Sequence, residues 1–191
     1  LSTGRRENLA SDAELIIGDV RNPDTVRRAM DGTDGCFHLA AIASVERGRE
    51  AWLDTHTVNL GGTIVIFDAA RRVRGGQPIP VVYASSAAVY GDPGNEVVDG
   101  ISEEARTRPL SAYGADKLGC ELHGSVAWSV HGVPNTGFRF FNVYGPRQDP
   151  ASPYSGVISI FAKRIIAGEP IAIDGDGEQV RDFVFVGDVA D

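Results

Sequence analysis

Short apolar segments that are typical of strands alternate with helical segments along the whole chain. Strands are predicted over 14–18, 35–41, 80–85, 136–142, 171–174 and 182–186, and helices over 22–32, 49–74, 111–131 and 156–168. A helix between two strands returns the chain to the same edge of a sheet, so this alternation predicts a parallel sheet with helices on both faces. The segment 35–41 is continuously apolar, which is typical of a strand covered on both faces. The expected fold is therefore a doubly wound α/β fold.

Charge and cysteine content exclude several classes of protein. The chain of 191 residues carries a formal net charge of −8, which excludes a generally basic nucleic-acid binder. No apolar run reaches the roughly 18 residues of a membrane-spanning helix, so no membrane partner is expected. Cys36 and Cys120 are isolated, and the four histidines show no metal-ligand spacing. We expect free thiols in the reducing cytoplasm and no bound metal.

Three polar features occupy positions where parallel sheets carry chemistry. Tyr113 and Lys117 are four residues apart and share a helix face, where an ammonium can lower the phenol pKa from about 10. Ser85 and Ser86 directly follow a strand, and a hydroxyl there can bond a substrate oxygen or only the local backbone. Asp19 ends a strand and can bind a nucleotide donor or act as a turn residue. Each feature alone leaves both interpretations open.

The order of these features is more specific than any one of them. The chain presents in turn Asp19, His-Leu-Ala-Ala at 38–41, Asn59-x-x-Gly62-Thr63, Ser-Ser at 85–86, and Tyr113-x-x-x-Lys117. This succession resembles the extended short-chain dehydrogenase/reductase superfamily, in its NAD-dependent epimerase/dehydratase branch. The resemblance covers 1–191 and is strongest to UDP-glucose and UDP-N-acetylglucosamine 4-epimerases. It implies a nucleotide-sugar epimerase, an isomerase of carbohydrate metabolism that acts on a nucleotide-diphosphate sugar.

The resemblance assigns a role to each matching residue. Tyr113 is the implied catalytic base, Lys117 its pKa partner and ribose ligand, and Ser86 the hydroxyl that bonds the reacting sugar oxygen. The implied contacts with NAD are Asp19, Val20, Leu39, Ala40, Ala41, Asn59, Ser85, Tyr113, Lys117 and Phe141. The implied contacts with the substrate are Ser86, Asn142 and Arg181, with the arginine on the diphosphate.

The implied reaction proceeds through a transient 4-keto sugar. Tyr113 takes the proton of the C4 hydroxyl while hydride moves to NAD⁺, and hydride then returns to the opposite face of the sugar. Related dehydratases carry acidic residues where this chain has Ala87 and Ala88, which disfavours elimination chemistry. Ala43 replaces a lysine that some epimerases place near the cofactor. The alternatives are a nucleotide-sugar reductase or dehydrogenase of the same superfamily, and a non-catalytic nucleotide-binding relative.

The resemblance also bears on domain organisation. The family opens with a strand, a glycine-rich GxxGxxG loop, a helix and a second strand, and this chain shows no counterpart of that unit. We therefore expect a Rossmann-type sheet that lacks its first βαβ unit. Residues 1–147 are expected to form a partial NAD-binding domain, and 148–191 to begin a smaller, truncated C-terminal substrate lobe. Related enzymes often dimerise through helices matching 49–74 and 111–131, so a homodimer of the full-length protein is expected.

The 191-residue chain on its own is expected to be unstable, to bind NAD poorly and to be inactive. Without the missing unit, the strand at 14–18 has no neighbour and the strand at 36–40 has an open edge. Calorimetric titration with NAD and a thermal melt of the purified chain measure both properties. Tight NAD binding together with a cooperative melt would contradict this expectation.

Overall fold

The computed structural model describes residues 4–43, 45–73, 75–92, 100–152, 155–173 and 175–191. The helices are α1 (Pro23–Met30), α2 (Val45–Glu50), α3 (Trp52–His56), α4 (Gly62–Ala70), α5 (Ala112–His131), α6 (Val157–Ile166) and α7 (Val186–Ala190). The strands are β1 (Cys36–His38), β2 (Val81–Ala84), β3 (Asn135–Phe138), β4 (Asn142–Tyr144) and β5 (Phe183–Phe185). Short 3-10 turns span Arg6–Asn8 and Ala87–Val89, and a π turn spans Thr57–Gly61.

The chain forms two compact units, Ile16–Phe140 and Leu1–Leu15 with Phe141–Asp191. In the larger unit, β1, β2 and β3 form a parallel sheet in that order, with Cys36 opposite Val81 and Val81 opposite Asn135. The core includes the buried side chains of Val26, Met30, Ile66, Phe67, Ile79, Val81, Tyr83, Cys120 and Val133. This arrangement confirms the predicted parallel α/β architecture.

The strand predicted at 14–18 is wrong, because these residues form no strand in the structure. A strand needs a hydrogen-bonded neighbour, and β1 lies at the edge of its sheet with β2 as its partner. The expectation that 35–41 is covered on both faces is also wrong, since Phe37 is 80% exposed and Leu39 63% exposed. The two differences have separate causes: no strand of the described residues pairs with the outer edge of β1, and no element among them covers the side of the sheet to which Phe37 points.

The helix predicted over 49–74 is divided, although its residues are largely helical. The last of its helical pieces is α4, which begins at Gly62. A Cβ added at Gly62 would lie only 2.8 Å from the Val20 side chain, so a larger residue here would have to displace Val20. The π turn that precedes α4 changes the direction in which the following side chains point. Thr63 Oγ1 of α4 donates to the Asn59 carbonyl of this turn at 2.6 Å. Residue 74 lies outside the described residues. The strand predicted at 171–174 is not formed at 171–173, and residue 174 is not described.

The predicted helix from Ser111 to His131 is confirmed. Ser111 Oγ accepts from the Gly114 N–H at 3.0 Å, and Gly132 ends the helix with a positive φ of 66°. An added Cβ at Gly114 would lie 2.6 Å from the Ala88 carbonyl oxygen. The first turn of α5 therefore packs directly against the Ala87–Val89 turn, which brings the helix start to the end of β2.

The smaller unit contains a two-stranded parallel sheet of β4 and β5, with Asn142 opposite Phe183. The ring of Tyr144 packs edge-on against Phe183 and Phe185, at centroid distances of 6.5 and 5.8 Å. Arg5 binds the Asp149 carboxylate at 2.6 Å. The predicted domain division between 147 and 148 stays a prediction. No helix within the described ranges combines the length and apolar character needed to cross a membrane.

Candidate active site

Tyr113, Lys117 and Ser86 lie together at the end of β2. Lys117 Nζ lies 5.7 Å from the centroid of the Tyr113 ring, and the Ser86 side chain is close enough to Tyr113 to influence its pKa. Ser86 begins the Ala87–Val89 turn, and its Oγ accepts from the Ala88 N–H at 3.1 Å. These are the three residues to which the sequence assigns catalysis, and the fold brings their side chains to one place.

The ionisation of Tyr113 differs from the expectation. Burial raises the pKa of Tyr113, and Ser86 acts in the opposite direction. The net shift of this pKa is therefore upward, opposite to the lowering that the sequence predicts, because burying the phenolate costs more than the contribution of Ser86 offsets. Among the neighbours, Ser86 is the group that lowers the Tyr113 pKa.

Lys117 is a buried cation. Its side chain points to the end of β2, where Nζ donates to the Ala84 carbonyl at 2.6 Å. Burial lowers the pKa of Lys117, while Cys120 and Asp116 act in the opposite direction. An ammonium has three N–H donors, and the Ala84 carbonyl takes one of them. This donor set suits a neighbouring ligand that carries hydroxyl groups.

The predicted adenine-side residues lie in the turn after 14–18. Asp19 is exposed, and its carboxylate accepts from the Arg21 guanidinium at 2.7 and 3.0 Å. These bonds hold the pKa of Asp19 below its ordinary value. Val20 packs against Gly62 of α4. Both residues also line a cavity of about 350 Å³ that β1 borders.

Asn59 fixes the loop that follows β1. Its Oδ1 accepts from the Ile42 N–H at 2.7 Å, and its Nδ2 donates to the Ile42 carbonyl at 3.1 Å. The side chain is buried, so its position is set by this loop. Leu39 and Ala40 are exposed and Ala41 is half-buried in the same loop. The predicted cofactor contacts of these four residues stay predictions.

Three predicted site residues belong to the smaller unit. Phe141 is half-buried, and Asn142 donates from its backbone N–H and from Nδ2 to the Asp182 carbonyl, at 3.2 and 2.8 Å. Arg181 is exposed and borders a cavity of about 760 Å³. Apolar side chains such as Val157, Phe161 and Phe183 line the same cavity. This combination of a guanidinium and apolar walls suits a phosphorylated ligand with a flat, weakly polar group.

Sequence reasoning missed the pairing of Glu121 with Arg139 beside the cluster. Ser85 is buried, and its hydroxyl donates to Glu121 Oε1 at 2.5 Å. Its predicted contact with the cofactor stays a prediction. Arg139 binds both oxygens of Glu121. Glu121 lies four residues after Lys117, so the helical spacing could have predicted that it shares the face of the cluster. Nothing in the sequence indicates its partners Ser85 and Arg139, which follow β2 and β3.

A second missed pair is His56 with Asp116. Asp116 precedes Lys117 in the sequence, and its side chain is buried. Its Oδ1 lies 2.7 Å from His56 Nδ1. The other oxygen of Asp116 is buried without a hydrogen-bond partner. This pair links α3 to the helix that carries the cluster.

Comparison with known proteins identifies the family. The model of the NAD dependent epimerase/dehydratase family matches residues 1–191. The chain belongs to this family. It is 36% identical over 197 residues to the UDP-glucose 4-epimerase of Mycolicibacterium smegmatis, covering 100% of this chain and 61% of that relative.

Two solved structures agree with this assignment. A UDP-N-acetylglucosamine 4-epimerase from Methanobrevibacter ruminantium, in complex with UDP-N-acetylmuramic acid, superposes with a TM-score of 0.89 and 36% identity, covering 100% of this chain and 60% of that one. The Thermus thermophilus UDP-glucose 4-epimerase in complex with NAD gives a TM-score of 0.86 and 36% identity, covering 100% and 62%. The predicted family and Rossmann-type fold are confirmed. The chain spans about 60% of the length of these relatives.

His38 at the end of β1 generates a prediction about stability. Thr63 gives its hydroxyl proton to the Asn59 carbonyl, so its oxygen accepts from His38 Nε2–H at 3.0 Å. Burial, together with the charge of Lys117, lowers the pKa of His38 to about 4 from 6.5. Between these values the unfolded chain binds a proton that the folded chain does not. The free energy of unfolding should therefore fall by about 3 kcal/mol as pH falls from 6.5 to 4.

Denaturant unfolding between pH 7.5 and 4.5 measures this effect. His38→Gln keeps an N–H donor for Thr63 but cannot titrate, so its stability should depend less on pH than that of the unaltered protein. Carboxylates contribute equally to both and cancel in the difference. Identical pH dependence in the two proteins would show that His38 is not held neutral by the fold.

Proposed function

We propose that this chain is part of an NAD-dependent nucleotide-sugar 4-epimerase that acts on UDP-glucose or UDP-N-acetylglucosamine. The observation that carries the proposal is the cluster of Ser86, Tyr113 and Lys117, in a chain of this family that is 36% identical to a named UDP-glucose 4-epimerase. The free thiols of Cys36 and Cys120 support a cytoplasmic location.

The residues of the larger unit fit NAD. The buried Lys117 ammonium offers donors to the hydroxyls of the nicotinamide ribose, and Asp19 offers an acceptor on the adenine side. The loop of Leu39, Ala40 and Ala41, which Asn59 holds in place, offers a small apolar surface. When bound, NAD supplies the acceptor and donor of hydride.

Each residue of the cluster has a separate role in the proton transfer. Ser86 orients the C4 oxygen of the sugar by a hydrogen bond, and Tyr113 takes the proton from that oxygen and later returns it. Lys117 places a positive charge near the Tyr113 ring, which favours the phenolate during the reaction. Because Ala87 and Ala88 carry no carboxyl group, this site lacks the additional acid or base that elimination needs.

The smaller unit supplies the proposed substrate contacts. Arg181 binds the diphosphate through its guanidinium, and the cavity of about 760 Å³ beside it takes the nucleoside. The family pattern implies in addition a contact of Asn142 with the substrate and of Phe141 with the cofactor. The identity of the sugar depends on the groups that surround its C2 and C6 substituents.

An assay of the full-length protein with UDP-glucose and catalytic NAD⁺ tests the proposal. We expect UDP-galactose to form without accumulation of NADH, because the reaction has no net oxidation. Tyr113→Phe removes the proton acceptor and should lower kcat by about 10²- to 10⁴-fold. Tyr144→Phe, on β4 of the smaller unit, is a matched control that should keep most of the activity.

The outcomes separate the alternatives. NADH that accumulates in proportion to a keto or acid product would identify a dehydrogenase or reductase. Binding of NAD and UDP-glucose without any turnover would identify a non-catalytic relative. Full turnover by Tyr113→Phe would refute the proposed base.

We also propose that the full-length protein is a homodimer. On α5, Leu122, Val126 and Val130 are exposed and four residues apart, so they form one apolar stripe, and Ile64 of α4 is exposed as well. A partner copy that covers this stripe would remove its apolar surface from water.

Sedimentation velocity tests the dimer. Val126→Glu places a charge in the stripe and should shift the protein from dimer to monomer. Arg28→Glu on α1 introduces the same side chain at another exposed position and should leave the dimer intact. A monomer before any substitution, or a dimer that survives Val126→Glu, would contradict the proposal.

A further inference from the structure

Glu121 occupies the next turn of α5 on the face that carries the cluster. Residues 113, 117 and 121 are each four apart, so their side chains share one side of the helix. The Glu121 carboxylate accepts from three donors. Ser85 Oγ lies 2.5 Å from Oε1, Arg139 Nε lies 2.8 Å from Oε1, and Arg139 Nη2 lies 2.7 Å from Oε2. A single side chain thus joins α5 to the ends of β2 and β3.

The ion pair of Glu121 and Arg139 is largely withdrawn from water. The two side chains are 18% and 24% exposed. Burial raises the pKa of Glu121, but the bonds from Arg139 and Ser85 outweigh it, and the pKa lies below its ordinary value. A two-point bond between guanidinium and carboxylate fixes orientation as well as distance. The pair therefore acts as a rigid support and not as a mobile surface contact.

Arg139 also reaches the far end of the loop after β2. Its Nη1 donates to the Tyr90 hydroxyl at 2.9 Å and to the Glu103 carbonyl at 2.8 Å. The guanidinium carbon lies 4.9 Å from the centroid of the Tyr90 ring. Ser85 and Tyr90 are the residues that enclose the segment 86–89. One ion pair consequently anchors both ends of the segment that begins with Ser86.

Backbone hydrogen bonds also hold this segment, since the Arg108 N–H donates to the Val89 carbonyl at 3.0 Å. The Ser85 N–H donates to the Phe138 carbonyl at 2.8 Å, and the Ala87 N–H donates to the Phe140 carbonyl at 3.0 Å. These bonds fix the distance of the loop from β3 but do not connect it to α5. Two side-chain bonds make that connection, one from Lys117 Nζ to the Ala84 carbonyl and one from Ser85 Oγ to Glu121, and the second of them lies directly beside Ser86.

We propose that Glu121, fixed by Arg139 and bonded to Ser85, is a positioning residue that holds the neighbouring Ser86 beside Tyr113. The expected effect of Glu121 on turnover rests on the proposed function. Its expected effect on the ionisation of Tyr113 does not depend on which reaction the protein catalyses. The Glu121 carboxylate is engaged by Ser85 and Arg139, so it acts through the segment that it holds.

The test compares Glu121→Gln, Ser86→Ala and the double variant in the full-length protein. Titration of tyrosine labelled with ¹³C at Cζ, with the Tyr113 signal assigned by Tyr113→Phe, follows the phenol directly by NMR. In Glu121→Gln this signal should titrate at higher pH, in the same direction as in Ser86→Ala. The double variant should shift no further than Ser86→Ala, because Glu121 acts through Ser86.

Kinetics supply a second measurement. Glu121→Gln should lower kcat for UDP-glucose by roughly 10- to 100-fold through misplacement of Ser86, while KM changes less than about twofold. Glu103→Gln is the matched control, because the network uses only the backbone carbonyl of Glu103. A purely stabilising role for Glu121 would lower the melting temperature and leave the kcat of the folded protein unchanged.

The outcomes are distinct. An unshifted Tyr113 titration in Glu121→Gln, or a shift that adds to that of Ser86→Ala, overturns the positioning role. Ser85→Ala keeps the ion pair but removes its bond to the segment, so it should shift the Tyr113 signal in the same direction and decides the question if Glu121→Gln does not fold. Absence of epimerisation in the unaltered protein would refute the proposed function, yet the NMR titration would still decide the role of Glu121.

Discussion

The close packing of α5 against the Ala87–Val89 turn is the contact on which the candidate site depends. Gly114 permits this contact, since a Cβ there would lie 2.6 Å from the Ala88 carbonyl oxygen. The approach places Tyr113 at Ser86 and directs Lys117 to the end of β2. The Ser111 cap determines where the helix starts and hence which residues meet the turn. The chemistry of the site is therefore set by a backbone-to-backbone distance.

Local patterns predicted the parts of the structure that local interactions determine. Asn22 accepts from the N–H groups of Asp24 and Thr25, and α1 begins at Pro23, as the sequence indicates. The spacing of Tyr113 and Lys117 on one helix face was readable for the same reason. The predicted strand at 14–18 failed because a strand depends on a partner elsewhere, which the apolar pattern of the segment alone does not reveal.

The partners of charged residues were also beyond sequence reasoning. Glu121 finds Arg139 through the sheet, 18 residues along the chain, and nothing in the spacing of either residue indicates the pair. The ionisation of Tyr113 depends on burial, and burial follows from packing that a helix-face argument does not include. The resemblance of this chain to one family supplied the expected roles of the site residues. The structure adds the hydrogen bonds and packing contacts that hold these residues in place.

The π turn at Thr57–Gly61 has a consequence for how this helical region tolerates change. Each residue of an α-helix advances the side-chain direction by about 100°. The number of residues in the π turn therefore sets the directions of two side chains. Asn59 faces the Ile42 loop, and Thr63 faces His38. Loss of a single residue between 57 and 61 would rotate all of α4 away from both partners, whereas many point substitutions there would leave the angular phase intact. Apart from Asn59, whose amide binds the Ile42 loop, this segment is constrained in its length more than in its chemical identity.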